Sequence, residues 1–104
     1  MESELENAER ARRNGNEGKA RVCARRAAGL AARNFLIHHN AGPRDKSAYA
    51  ALQVLAEFPG LAQDLRTAAI HLITPLTKTF TLPVDADLIA DARKLIGELD
   101  ERYP

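Results

Sequence analysis

Residues 18 to 39, GKARVCARRAAGLAARNFLIHH, hold six alanines, four arginines and no proline, and this run constrains the fold more than any other stretch of the chain. Alanine is the strongest helix former, so the run reads as one long helix studded with arginine. At about 100° per residue, Ala20, Cys23, Ala24, Ala27, Leu30, Ala31, Phe35 and His38 share one broad sector. Arg21 and Arg25 fall to one side of it, and Arg26 and Arg33 to the other. The apolar sector is the expected bundle face. Alanine-lined helices bring backbones close together but bury less apolar area per residue than leucine-lined ones. A second copy of the chain could supply the missing burial, so a homodimer is expected.

The residues around this run divide the chain into further helices. Ser3, with Glu6 three residues on, has the capping-box spacing of a first helix that reaches about Asn14. Arg10, Arg12 and Arg13 balance the negative end of its dipole. Asn14-Gly15-Asn16 tolerates left-handed backbone, and the second helix runs from near Glu17 to about His39, where Asn40-Ala41-Gly42-Pro43 stops it. Ser47 or Asp45 caps a short third helix with Tyr49, Leu52, Val54 and Leu55 on its buried side, before a turn at Phe58-Pro59-Gly60. A fourth helix starts near Leu61, carries Leu65, Ala68, Ala69 and Leu72, and is ended by Pro75. Thr77 to Pro83 alternates like a strand, but one strand without a partner is unstable, so it reads as an extended connection. Asp85 or Asp87 caps the last helix, in which Leu88, Ile89, Ala92, Leu95, Ile96 and Leu99 form a stripe reaching about Asp100. The expected fold is all-α: an up-and-down bundle of four to five helices, with a long alanine-rich second helix, in a single domain over 1–104.

Composition removes several classes of function. A chain of 104 residues has one core, and a net charge of +1 creates no global field that would draw nucleic acid or an anionic membrane. The single cysteine, Cys23, allows no internal disulfide and fits a reducing compartment. MESELENAER lacks the apolar stretch of a signal peptide, and no apolar run is long enough for a membrane span, so a cytoplasmic location is expected. No second cysteine and no His/Cys or His-Glu spacing suggests a metal, and Gly15-Asn16-Glu17-Gly18-Lys19 lacks the spacing of a phosphate-binding loop. No cofactor is expected.

What remains is local. Arg21, Arg25 and Arg26, with Lys19 and Arg33, form a basic concentration. Guanidinium forks match phosphate oxygens, so Arg21, Arg25 and Arg26 are candidate ligands for a nucleotide or RNA phosphate. The alternative is salt bridging to Glu2, Glu4, Glu6, Glu9, Asp64 or Asp91. No aromatic residue interleaves with these arginines, so no stacking platform for single strands exists. Arg33 and His38 could supply a cation for a phosphate and a base for a ribose hydroxyl, a pair that needs no metal. Residues five apart on a continuous helix point about 140° from each other, so convergence needs a helix break or a second subunit. Otherwise His38 packs at the helix end and His39 caps the last carbonyls in solvent. His71 is expected to be a hydrogen-bonded core or interface residue.

Three places give the chain a resemblance to a known group. The long helix ARVCARRAAGLAARNF from Ala20 to Phe35, the break Gly42-Pro43 followed by SAYAAL from Ser47, and the ending Glu101-Arg102-Tyr103-Pro104 resemble the HEPN superfamily. These are small helical domains often found beside nucleotidyltransferases in prokaryotes. The resemblance implies an accessory or binding module for a nucleotidyltransferase partner. Catalytic members are metal-independent ribonucleases, some of toxin-antitoxin or defence type, that carry an arginine followed four to six residues later by a histidine. In this chain Arg33-Asn34 and His38 match that string.

Overall fold

A computed structural model describes residues 2–41, 47–75 and 86–103. Five helices follow one another: α1 (Glu2–Arg13), α2 (Glu17–His38), α3 (Ala48–Ala56), α4 (Gln63–Ile73) and α5 (Leu88–Arg102). Each packs on its neighbour in sequence, α5 returns to α1 and α2, and α2 touches all four others. The fold is the expected all-α bundle, and α2 is its central post.

Helix starts follow local chemistry. Asn16 caps α2 by accepting from the Lys19 N–H at 3.1 Å, and Ser47 caps α3 by accepting from the Ala50 N–H at 3.0 Å. Asp87 caps α5 by accepting from Ile89 and Ala90 at 3.1 and 3.3 Å. Each such cap is worth about 1 kcal/mol. Gly15 and Asn40 hold the positive φ angles, 78° and 56°, that release the chain at the ends of α1 and α2. Ser3 lies inside α1 and caps nothing, because the helix already begins at Glu2. The Asp45 and Asp85 alternatives, the Gly42-Pro43 stop, the Glu2 side chain, the Thr77–Pro83 connection and Pro104 lie outside the described residues.

The core is aliphatic around one aromatic, with Phe35, Leu36, Leu52, Leu55, Leu65, Leu72, Leu95 and Leu99 fully enclosed. No charged or polar side chain is buried among the described residues. The stripes expected for α4 and α5 are the buried ones, apart from a half-buried Ile96. Four further positions expected on buried faces depart: His38 is exposed, Val54 is half-buried, and two others turn outward. Leu30 and Tyr49 are 45% and 49% exposed, because helices on several sides of α2 also bury Ala28, Gly29, Ala32 and Leu36, turning Leu30 outward. On α3 the buried side is Ala51, Leu52 and Leu55.

Helices α2 and α3 cross at close range. A β-carbon on Gly29 would lie 2.4 Å from the β-carbon of Ala48 and 2.6 Å from its α-carbon. Only glycine admits α3 at this depth, and the contact places the start of α3 against the outer side of α2. No helix among the described residues is long and apolar enough to cross a membrane.

Candidate functional site

A cleft of about 310 Å³ lies where α1, α2 and α3 meet, lined by Glu4, Arg26, Gly29, Leu30, Arg33 and Ala48. The Gly29–Ala48 contact forms its apolar part, and α2 supplies its cations from positions one turn either side of Leu30. Arg26 is largely exposed, and its guanidinium lies 3.9 Å from a Glu4 carboxylate oxygen, an ion pair without a hydrogen bond. That Glu4 oxygen is itself buried and accepts no hydrogen bond. Arg33 has no hydrogen bond or ion pair among the described residues. Among the described residues the cleft therefore holds one cation without a partner, one loosely paired cation and a carboxylate oxygen that accepts no hydrogen bond, around an apolar floor.

The structure divides the predicted arginines. Arg25 is occupied: its Nε donates to the Leu72 carbonyl at 2.7 Å, closing the last turn of α4. Arg21 is half-buried and lies within electrostatic reach of Glu17. Of the three phosphate candidates only Arg26 faces the cleft, and Arg33 joins it there. The acidic partners proposed for the arginines are mostly engaged elsewhere. Asp64 holds Lys94 at 3.1 Å and Arg102 at 2.9 Å, Glu9 pairs with Arg93, and Asp91 faces His71.

Arg33 and His38 do not meet. His38 is exposed and opens on a different cleft of about 320 Å³, formed with Asn34, Asp100 and Tyr103. Helix α2 continues unbroken through both residues, so nothing rotates His38 towards Arg33. The histidine that packs is the next one. His39 stacks on Phe35 with ring centroids 4.3 Å apart, and its Nε2 lies 3.2 Å from the Tyr103 carbonyl, to which only an Nε2–H can donate. His71 is half-buried on α4, with Nδ1 3.0 Å from Asp91 Oδ2. Burial pushes the Asp91 carboxyl above its ordinary range, opposed by the hydrogen bond from His71. No group of three or more His, Cys, Asp or Glu positioned to hold a metal ion occurs among the described residues.

Three features have no counterpart in the sequence reading. Arg66 donates to the carbonyls of Ala56, Phe58 at 3.1 Å and Leu61 at 3.3 Å, clamping the turn between α3 and α4. Tyr103 Oη accepts from the Ala62 N–H at 2.7 Å and donates to the Gly60 carbonyl at 3.2 Å, so it caps α4 where Ala62 offers no side chain. Arg12 holds Glu17 at 2.7 Å and Asp87 at 2.9 Å, joining the end of α1 to the starts of α2 and α5. For Gly29 a cue exists, since a glycine between alanine pairs inside a helix signals close packing.

No protein-family model, curated protein or solved structure matches this chain. The fold and cleft describe an all-helical domain with a basic and apolar outer face.

Proposed function

We propose that this chain is a binding module rather than an enzyme: a helical accessory domain of HEPN type that engages a partner protein such as a nucleotidyltransferase in the cytoplasm, itself a homodimer. One observation carries the reading. Arg33 and His38 line separate clefts, whereas a general base and a phosphate-stabilising cation must both lie within about 3 Å of the reacting atoms. Within one chain that convergence is missing and neither residue has a step to perform, while the cleft keeps Arg33 and the loosely paired Arg26 available to a ligand; convergence across a dimer is the outcome that an RNA cleavage assay would reveal. A phosphate of a nucleotide or RNA is one ligand those two arginines could take.

Labelled RNA incubated with the protein in EDTA, beside an Arg33→Ala/His38→Ala variant, tests the reading. Equal background from both supports the module. Cleavage by the unaltered protein that the variant loses establishes the opposite, a metal-independent ribonuclease of toxin-antitoxin or defence type. Light scattering at micromolar concentration reads the dimer, and a monomer there defeats that part.

A further inference from the structure

We propose that the outward stripe of α2 docks an acidic, amphipathic helix of a partner protein, with Leu30 as the apolar centre and Arg26 and Arg33 pairing carboxylates on either side of it. On a helix turning about 100° per residue, Val22, Arg26, Leu30, Arg33 and Ile37 fall within about 80° of one another. Apolar and cationic side chains thus alternate at each turn along about 22 Å of helix. Val22, Leu30 and Ile37 are 41%, 45% and 56% exposed on this line. A purely solvated face has no need of three large apolar residues, and Arg33 beside them meets no acceptor among the described residues.

Charge decides between occupants. Lys19, Arg26 and Arg33 lie on the stripe, and among the described residues the one acid lining its cleft is Glu4. A second copy of the same face would set these cations against each other, which opposes a two-fold contact there. A nucleic-acid backbone would satisfy the arginines but would leave Val22, Leu30 and Ile37 against a polyanion, with no aromatic between them for a base to stack on. An amphipathic helix carrying glutamate or aspartate beside its leucines satisfies both halves of the pattern. The cleft floored by Gly29 and Ala48 then takes one large apolar side chain as the anchor.

The proposal rests on the module reading, and the two fail separately: RNA cleavage would sink that reading whatever a peptide does. The probe is a fluorescein-labelled peptide of about 16 residues, built as an amphipathic helix with leucine at every third or fourth position and glutamate flanking each leucine. Anisotropy titration should show saturable binding by the unaltered protein. Arg33→Glu and Leu30→Asp should each weaken it about tenfold or more, and a peptide with lysine in place of glutamate should bind the Arg26→Glu/Arg33→Glu protein better than the unaltered one. Both positions are partly exposed, and unchanged melting temperatures will separate lost docking from lost fold. Ile37→Asp, farther along the stripe, gives a second reading if Leu30→Asp does not fold. The docking surface is overturned if the glutamate peptide does not bind, if the variants bind it equally, if single-stranded oligouridylate is preferred, or if Leu30→Asp converts a dimer into a monomer.

Discussion

Gly29 and Ala48 are in contact across the α2–α3 crossing so closely that a single added methyl at Gly29 would sit 2.4 Å from the Ala48 β-carbon. Gly29→Ala sets two effects against each other. Alanine gains about 1 kcal/mol of helix propensity, but overpacking against a backbone costs about 1–3 kcal/mol and can cost more. At 2.6 Å the Ala48 α-carbon is among the atoms struck, so repulsion wins. A loss of about 1–2 kcal/mol, or about 5–15 °C in melting temperature, is expected by thermal denaturation. Ala48→Gly in the same chain should restore only part of it, since the α-carbon remains. A variant as stable as the parent would show that α3 sits farther out.

The turn between α3 and α4 depends on two side chains outside it, Arg66 from the following helix and Tyr103 from far along the chain. Arg66→Met leaves the carbonyls of Ala56, Phe58 and Leu61 without their shared donor, and Tyr103→Phe removes the partner of the Ala62 N–H. Losses of about 1–3 kcal/mol for the first and about 1 kcal/mol for the second are expected in urea titrations. In hydrogen exchange, the Ala62 amide should exchange faster in Tyr103→Phe, while amides in the middle of α2 stay unchanged. If Ala62 stays equally protected, the phenol does not cap α4.

Acid should loosen the junction at Arg12. Its hydrogen bond holds Glu17 below the ordinary value of 4.5. For Asp87, burial pushes the other way, but the bonds from Arg12 and the backbone N–H groups prevail and hold it below 3.8. A carboxyl with a lowered folded value contributes stability that is complete above its unfolded value and is lost as pH falls through the folded one. Melting temperature should therefore fall as pH drops below about 4.5, and Arg12→Met should make that fall shallower. Asp64, held well below its usual range by Arg102 and then Lys94, supplies a further acid-sensitive share that the variant keeps. Asp91 works in the opposite sense, because its raised folded value favours the folded state at low pH and that share is lost as pH rises through it. An Arg12→Met profile superimposable on the parent would mean that the junction contributes nothing.

Phe35 is fully buried and meets the rings of His39, Phe58 and Tyr103 within 5.7 Å. Phe35→Ala leaves a cavity where three segments converge, at about 3–5 kcal/mol, a large part of the stability of a domain this small. Loss of the cooperative melting transition by circular dichroism is expected, whereas Phe35→Leu should retain it. An alanine variant that melts normally would place the weight of this cluster elsewhere.

Periodicity made α4 and α5 legible, since Leu65, Ala68, Ala69 and Leu72, and Leu88 to Leu99, each bury one face against one neighbourhood. It served less well for α2, where helices on several sides bury alanines around much of the circumference and leave Leu30 outside. Small side chains carry little contrast between inside and outside, so the outward stripe emerges only once the neighbours are placed. Capping residues were readable at Ser47 and Asp87 because a side chain and an amide two or three residues away suffice. Tyr103 at Ala62 and Arg66 across the turn act over tens of residues or onto backbone carbonyls, which no local pattern encodes. The string Arg33-Asn34 to His38 was legible as letters, but the unbroken helix beneath it sends the two side chains to different clefts.

The bond between Ala62 and Tyr103 spans 41 residues, and that from His39 to Tyr103 spans 64. Helices α1 and α2 are joined by near neighbours in sequence, whereas Tyr103, far along the chain, ties down the turn between α3 and α4 and the end of α2. Contacts of such separation must close large loops before they contribute, so they raise the contact order of a bundle otherwise built from local pairs and should slow its folding.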